Sequence, residues 1–198
     1  MRLVGTILSC FFLVAAVTGL QSVEPSVSRG RFLGSSVAAA AGLLVGTTPY
    51  STKTNAAEEK LLNLSNDKLK EIIQKDVVEK QYLCNGQLTR SVYDESATFT
   101  DEIDTYQLDQ WITGTQKLFV GENSQVRLVG DINVSDEAVE FRFDEDLQFR
   151  IPLRPTVALT GKVILKRDPS SGLITSYQEF WDQDVSTVLK SAKFNFKL

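Results

Sequence analysis

Hydrophobic spacing divides the chain at about residue 121. Before it, apolar residues recur every three or four positions; beyond it, every second one. In 58–83, Leu69, Ile72, Ile73, Val77 and Leu83 share one side. The spacing predicts a helix capped by Ser65 or Asn66 and ended by Asn85-Gly86. A turn at 91–94 and a short strand at 97–101 follow. In 108–119, Leu108, Trp111, Ile112, Leu118 and Phe119 mark a second helix, closed by Gly121. Five strands are then expected, at 125–134, 138–143, 147–153, 157–166 and 173–181. Asp136-Glu137, Asp144–Asp146, Pro152/Pro155 and Pro169–Gly172 separate them. The alternation of Val139/Phe141/Phe143 and of Leu147/Phe149/Ile151/Leu153 gives such strands one dry face and one wet face. Trp111, Phe141, Phe149 and Leu159 are expected to be buried. The predicted class is α+β, a curved antiparallel sheet with helices on its concave side.

Charge changes the picture of partners. Residues 58–198 hold 17 basic and 24 acidic side chains, with no Lys/Arg cluster of the kind nucleic acid requires. Histidine is absent, which removes the commonest general base and metal ligand. Cys10 lies in the first apolar segment, so a processed chain keeps only Cys84, read as a buried thiol. No phosphate loop, dinucleotide fingerprint or metal-ligand spacing is present, so neither cofactor nor metal is expected. The acidic groups Asp94-Glu95, Asp101–Asp104 and Asp144–Asp146 lack a calcium-loop pattern and read as solvated turns. The basic tail 190–197, with Phe194 and Phe196, reads as a frayed terminus, with a docking strand as the alternative.

Two apolar segments precede the domain. Arg2, the uncharged run 3–20 and small residues at Val17 and Gly19 predict a signal peptide over 1–20. Residues 21–57 repeat the layout: Ser28-Arg29-Gly30-Arg31-Phe32-Leu33, an Ala- and Gly-rich run over 32–48, and Thr54-Asn55-Ala56-Ala57. This arrangement resembles the multipartite presequences of algae with complex plastids. The resemblance implies a transit and transfer segment over 21–57, a mature chain beginning near Ala57, and residence in a plastid, in the thylakoid lumen. Membrane contact is then expected only through these segments. A secreted domain, or one tethered by 32–48, is the alternative.

From Leu69 to Asp182 the motifs are Tyr93 with Phe99-Thr100-Asp101, Trp111, Pro152-Leu153-Arg154-Pro155, Thr160-Gly161, and Gly172-Leu173-Ile174 leading to Tyr177, Glu179, Trp181 and Asp182. They resemble the SnoaL-like branch of the nuclear-transport-factor-2-like superfamily, and within it uncharacterised plant and algal plastid members. Tyr177 stands where plant members tend to carry histidine. The resemblance implies a cone-shaped fold over 58–198, with a cavity between its helices and its concave sheet.

Tyr177, Glu179 and Trp181 lie two apart and so share one strand face. A carboxylate between two aromatics fits a general base. Asp101 could supply a second carboxylate, and Tyr93 or Tyr106 a hydroxyl for an oxyanion. Phe99, Trp111, Tyr177 and Trp181 are the candidate ligand-binding residues; Glu179, Asp101 and Tyr93 are the catalytic candidates. Against these stands the reading of Phe99 and Trp181 as core and of Glu179 as solvated or paired with Arg142 or Arg150. The expected function is a non-catalytic module for a hydrophobic small molecule, such as a pigment, lipid or quinone, or for a protein partner. A homodimer through the sheet is a further expectation. The alternative is a small isomerase- or hydratase-like enzyme using Glu179 and Asp101. Solvation of Glu179 would favour the first; a desolvated Glu179 within hydrogen-bond reach of a tyrosine would favour the second.

Overall fold

The computed structural model describes residues 59–194, all within one compact unit. The expected segments at 1–20 and 21–57, with Phe196 and Lys197 of the tail, lie outside the described residues. Helix α1 (Asn66–Val78) begins at Ser65, whose hydroxyl accepts from the Lys68 N–H at 3.3 Å, and buries Leu69, Ile73 and Val77. It is much shorter than the expected 58–83. Residues 59–64 run alongside other segments instead: the Leu61 N–H bonds Ser91 O, and the Asn63 N–H bonds Ser171 O. At the other end Gln81 turns left-handed (φ 58°), and its amide donates to Val77 O, Val78 O and Val126 O while accepting from the Val126 N–H. Those tertiary bonds satisfy the helix end better than another turn would. A single turn, α2 (Tyr82–Asn85), follows, with Cys84 fully buried.

Strand β1 (Tyr93–Thr100), the short β2 (Thr105–Gln107) and helix α3 (Leu108–Leu118) lead into β3 (Gln125–Val134), β4 (Ala138–Gln148), β5 (Thr156–Arg167) and β6 (Ile174–Trp181). Helix α4 (Val185–Lys190), which the spacing did not predict, is capped by Asp184. The six strands form one curled, unclosed sheet in the order β2-β1-β6-β5-β4-β3. Every pairing is antiparallel except β1 with β6, which is parallel. The class is α+β, as the spacing predicted, and Trp111, Phe141, Phe149 and Leu159 are buried.

Two expectations about β4 are corrected. Residues 138–143 and 147–153 are not separate strands, because β4 runs unbroken through Asp144–Asp146 to Gln148. Asp144 and Asp146 are only partly buried, with Asp146 paired to Arg127 of β3 at 2.8 Å, whereas Glu145 follows Val139, Phe141 and Phe143 into the core. The acidic triplet therefore obeys the strand's two-residue period instead of interrupting it. Beyond Gln148 the pairing stops: Leu153 and Arg154 adopt left-handed conformations (φ 66° and 40°) between two prolines. The tail is also tied down, since Lys193 exchanges two 2.8 Å backbone bonds with Thr156.

Gly161 lets the sheet curl. On its inward side a Cβ would meet Phe180 O at 2.3 Å and the Phe143 ring at 3.0 Å. Only glycine fits between Phe143 on β4 and Trp181 on β6, its partners across the ladders.

Candidate functional site

Strand β6 delivers Tyr177, Glu179 and Trp181 to one face. The Tyr177 hydroxyl donates to Glu179 Oε2, and Trp181 Nε1 donates to Oε1 at 2.6 Å, so each carboxylate oxygen is held by a neighbour two residues away. Neither Arg142 nor Arg150 reaches Glu179: Arg142 pairs with Asp182 at 2.5 Å, and Arg150 donates to Phe119 O at 3.1 Å. Glu179 is half-buried, yet desolvation pushes its carboxyl up to about 7. The two donors oppose that rise, and the nearby Asp101 and Glu102 charges add to it. Burial also pushes the Tyr177 phenol far up, which keeps it a donor.

The wall beside Glu179 is aromatic. Phe99 stacks on Tyr177 and on Trp111 at centroid distances of 4.8 and 4.7 Å; Tyr93 and Tyr82 flank the stack. The register explains the stack, since Phe99 of β1 lies opposite Tyr177 of β6 and α3 lays Trp111 across both. Phe99 and Tyr177 are fully enclosed, Trp111 nearly so, and Trp181 half-buried, so three of the four candidate lining residues back the wall while Trp181 meets solvent.

The remaining candidates separate. Asp101 is half-buried and uses Oδ1 to accept from the Ile103 and Asp104 N–H groups at 2.8 and 2.9 Å, which builds the β1–β2 turn; burial raises its pKa. It acts on Glu179 through its charge. Tyr106, buried on β2, is raised by burial and by Asp101. Tyr93 is fully buried with an unpartnered hydroxyl, and its acidity responds to burial, Asp76 and Tyr82, not to Glu179.

Two groups escaped the sequence reading. Tyr82, also buried, has its phenol pushed far up by burial first, then by Tyr93, Asp76 and Glu179. Glu145 is 4% exposed, and its Oε2 has no hydrogen-bond partner. Burial, then the charge of Glu179, pushes its carboxyl well above the ordinary value. The run Val139/Phe141/Phe143/Glu145/Leu147 carried the signal. Across β5, Glu145 lies beside Leu159 and Glu179 beside Val163, with Gly161, under the Phe143 ring, between those two positions. Cys84 is an inert neighbour, its thiol pushed up to about 11 by burial and Glu145. Among the described residues no group of three or more His, Cys, Asp and Glu side chains is placed to hold a metal.

No family model matches the chain, and no curated protein matches it in sequence. Solved structures that it resembles include an LEH-like epoxide hydrolase from M. tuberculosis (TM-score 0.47, 12% identity, 64% of this chain and 90% of that one). Others are a nuclear transport factor 2-like protein from Salmonella enterica (0.46, 16%, 61% and 92%) and a Jannaschia sp. protein described as a SnoaL-like polyketide cyclase (0.44, 12%, 60% and 91%). The last two are described in the terms of the superfamily that the motifs resemble. The likeness is one of architecture and carries no residue's role across.

Proposed function

We propose that the domain is a small acid–base enzyme of isomerase or hydratase type, with Glu179 as the group that takes and returns the proton. The observation that carries this reading is the desolvated Glu179 carboxyl, fixed between the Tyr177 hydroxyl and the Trp181 indole. A base poised near neutral pH can remove a proton and give it back within one turnover. The aromatic wall, and the absence among the described residues of a Lys or Arg bonded to Glu179, favour an uncharged, largely apolar substrate. In the isomerase form, Glu179 takes a C–H proton, the electron pair moves onto an adjacent oxygen, and the proton returns to a different carbon. No oxidant is consumed.

The test begins with native mass spectrometry of the purified protein to identify a co-purifying small molecule, followed by incubation of that molecule with the protein in D2O. Wild type should place deuterium at carbon, and Glu179→Gln should slow this by roughly 10²–10⁴-fold. If Glu179→Gln binds the molecule as tightly as wild type and neither exchanges deuterium, the domain is a binding module instead.

Residues 1–57 support assignment of this chemistry to a plastid, in the thylakoid lumen. N-terminal sequencing of the protein from its own cells should find a start near Ala57. A chain that keeps residues 32–48 would make it membrane-tethered.

A further inference from the structure

Three chain segments converge at the end of the molecule where β4 turns into β5. The Arg150 N–H bonds Leu118 O at 2.8 Å, the Phe149 ring meets Phe119 at 5.2 Å between centroids, and Thr156 pairs with Lys193. These junctions gather Lys117, Arg150, Arg154, Lys190 and Lys193, all exposed. None of the five pairs with a carboxylate among the described residues, whereas Lys60, Arg90, Arg127 and Arg142 all do. Of the acids near these cations along the chain, Asp146 is paired with Arg127, Asp184 is committed to the α4 cap, and Glu122 is exposed. A domain with an excess of acid thus collects uncompensated positive charge at one tip.

The same tip is apolar at its summit. Leu153 is 58% exposed and Phe194 41%. Leu153 is presented by a turn closed by Phe149 N–H to Pro155 O and Arg154 N–H to Ile151 O, at 2.9 and 3.0 Å. Prolines on both sides stiffen it.

We propose that this tip docks on an anionic lipid surface, with Leu153 and Phe194 entering the headgroup boundary and the five cations lying over the phosphates. Cations ringing apolar tips match an interface that is charged outside and apolar beneath. A membrane meets only the near end of the molecule, and charges farther from it than roughly 8 Å are screened at physiological salt. A nucleic acid offers no apolar layer to receive Leu153, and a protein groove would have to accept a projecting leucine ringed by five charges.

The experiment uses protein expressed in and isolated from cells that process it, mixed with vesicles of phosphatidylcholine alone or with a third phosphatidylglycerol. Sedimentation should show binding to the anionic vesicles only, lost at high salt. Arg150→Gln with Arg154→Gln should weaken it roughly 30-fold at low salt. Leu153→Asn should weaken it about tenfold by removing the apolar tip. Asparagine tolerates the left-handed backbone at 153 better than leucine, so this variant should unfold at an equal or higher temperature than wild type while binding less. Equal binding to both vesicles, binding that survives these substitutions, or association with a soluble acidic protein and with neither vesicle would overturn the proposal.

Discussion

Strand β5 has a buried polar group toward each end, its own Arg167 and Glu145 of the adjoining β4, and the ends obey different rules. At one end Arg167, 9% exposed, donates to Asn66 Oδ1, Ser135 O, Gly172 O and Leu64 O at 2.7–3.2 Å. It ties the start of α1 to the β3–β4 and β5–β6 turns. Toward the other end, next to Leu159, Glu145 is buried as deeply with an orphaned oxygen, and Glu179 lies opposite Val163 in the middle of the same strand. Folding alone favours the first arrangement, since a buried polar atom without a partner costs about 1–3 kcal/mol. The second persists without such partners, beside the Glu179 that the proposed function uses.

The comparison can be broken most strongly at Arg167. Replacing it by Met leaves four acceptors without their donor, and urea unfolding should register a loss of about 3–5 kcal/mol. A loss under about 1 kcal/mol would mean that water replaces the guanidinium freely and that the two ends do not differ.

Acidity tests the other end. Glu179 has a folded pKa of about 7, above its ordinary 4.5, so between those values the folded chain holds a proton that the unfolded chain has released. The contribution of a raised carboxyl is complete below pH 4.5 and falls as pH rises through 7, by up to about 3 kcal/mol. Unfolding free energies measured from pH 5 to 8 should decline, and Glu179→Gln should flatten the decline. A rise over that range in wild type would mean that Glu179 is ionised and solvated.

The smallest effect has the opposite sign to the first. Glu145→Leu removes an orphaned buried group at similar volume and should raise stability by about 1–2 kcal/mol. Destabilisation would show that Glu145 is structural, like Arg167.

Much of this was legible in the sequence, and the gaps have physical causes. Tyr177, Glu179 and Trp181 could be placed on one face because a strand's period is two whatever surrounds it. That Glu179 would be desolvated was not legible, because its surroundings come from β1 and α3, far away in the chain. Glu145 was lost because three consecutive acids look like solvent, although strand geometry sends the middle one inward. The helix expected over 58–83 broke at Gln81 for a partner on β3, 45 residues on. Strand β2 is three residues long, too short for any period to show, and α4 was signalled only by the Asp184 cap. The homodimer expected through the sheet stays a separate proposal.

The chain contains two tryptophans, Trp111 in the aromatic wall and Trp181 on the Glu179 carboxylate, and no others. Excited at wavelengths that tyrosine does not absorb, its emission therefore comes entirely from the candidate site. The Trp181 indole, bonded to a carboxyl that titrates near neutrality, turns that ionisation into a change of colour or brightness. The protein carries its own optical sensor, able to report a proton or a bound molecule without a dye, a label or a known reaction.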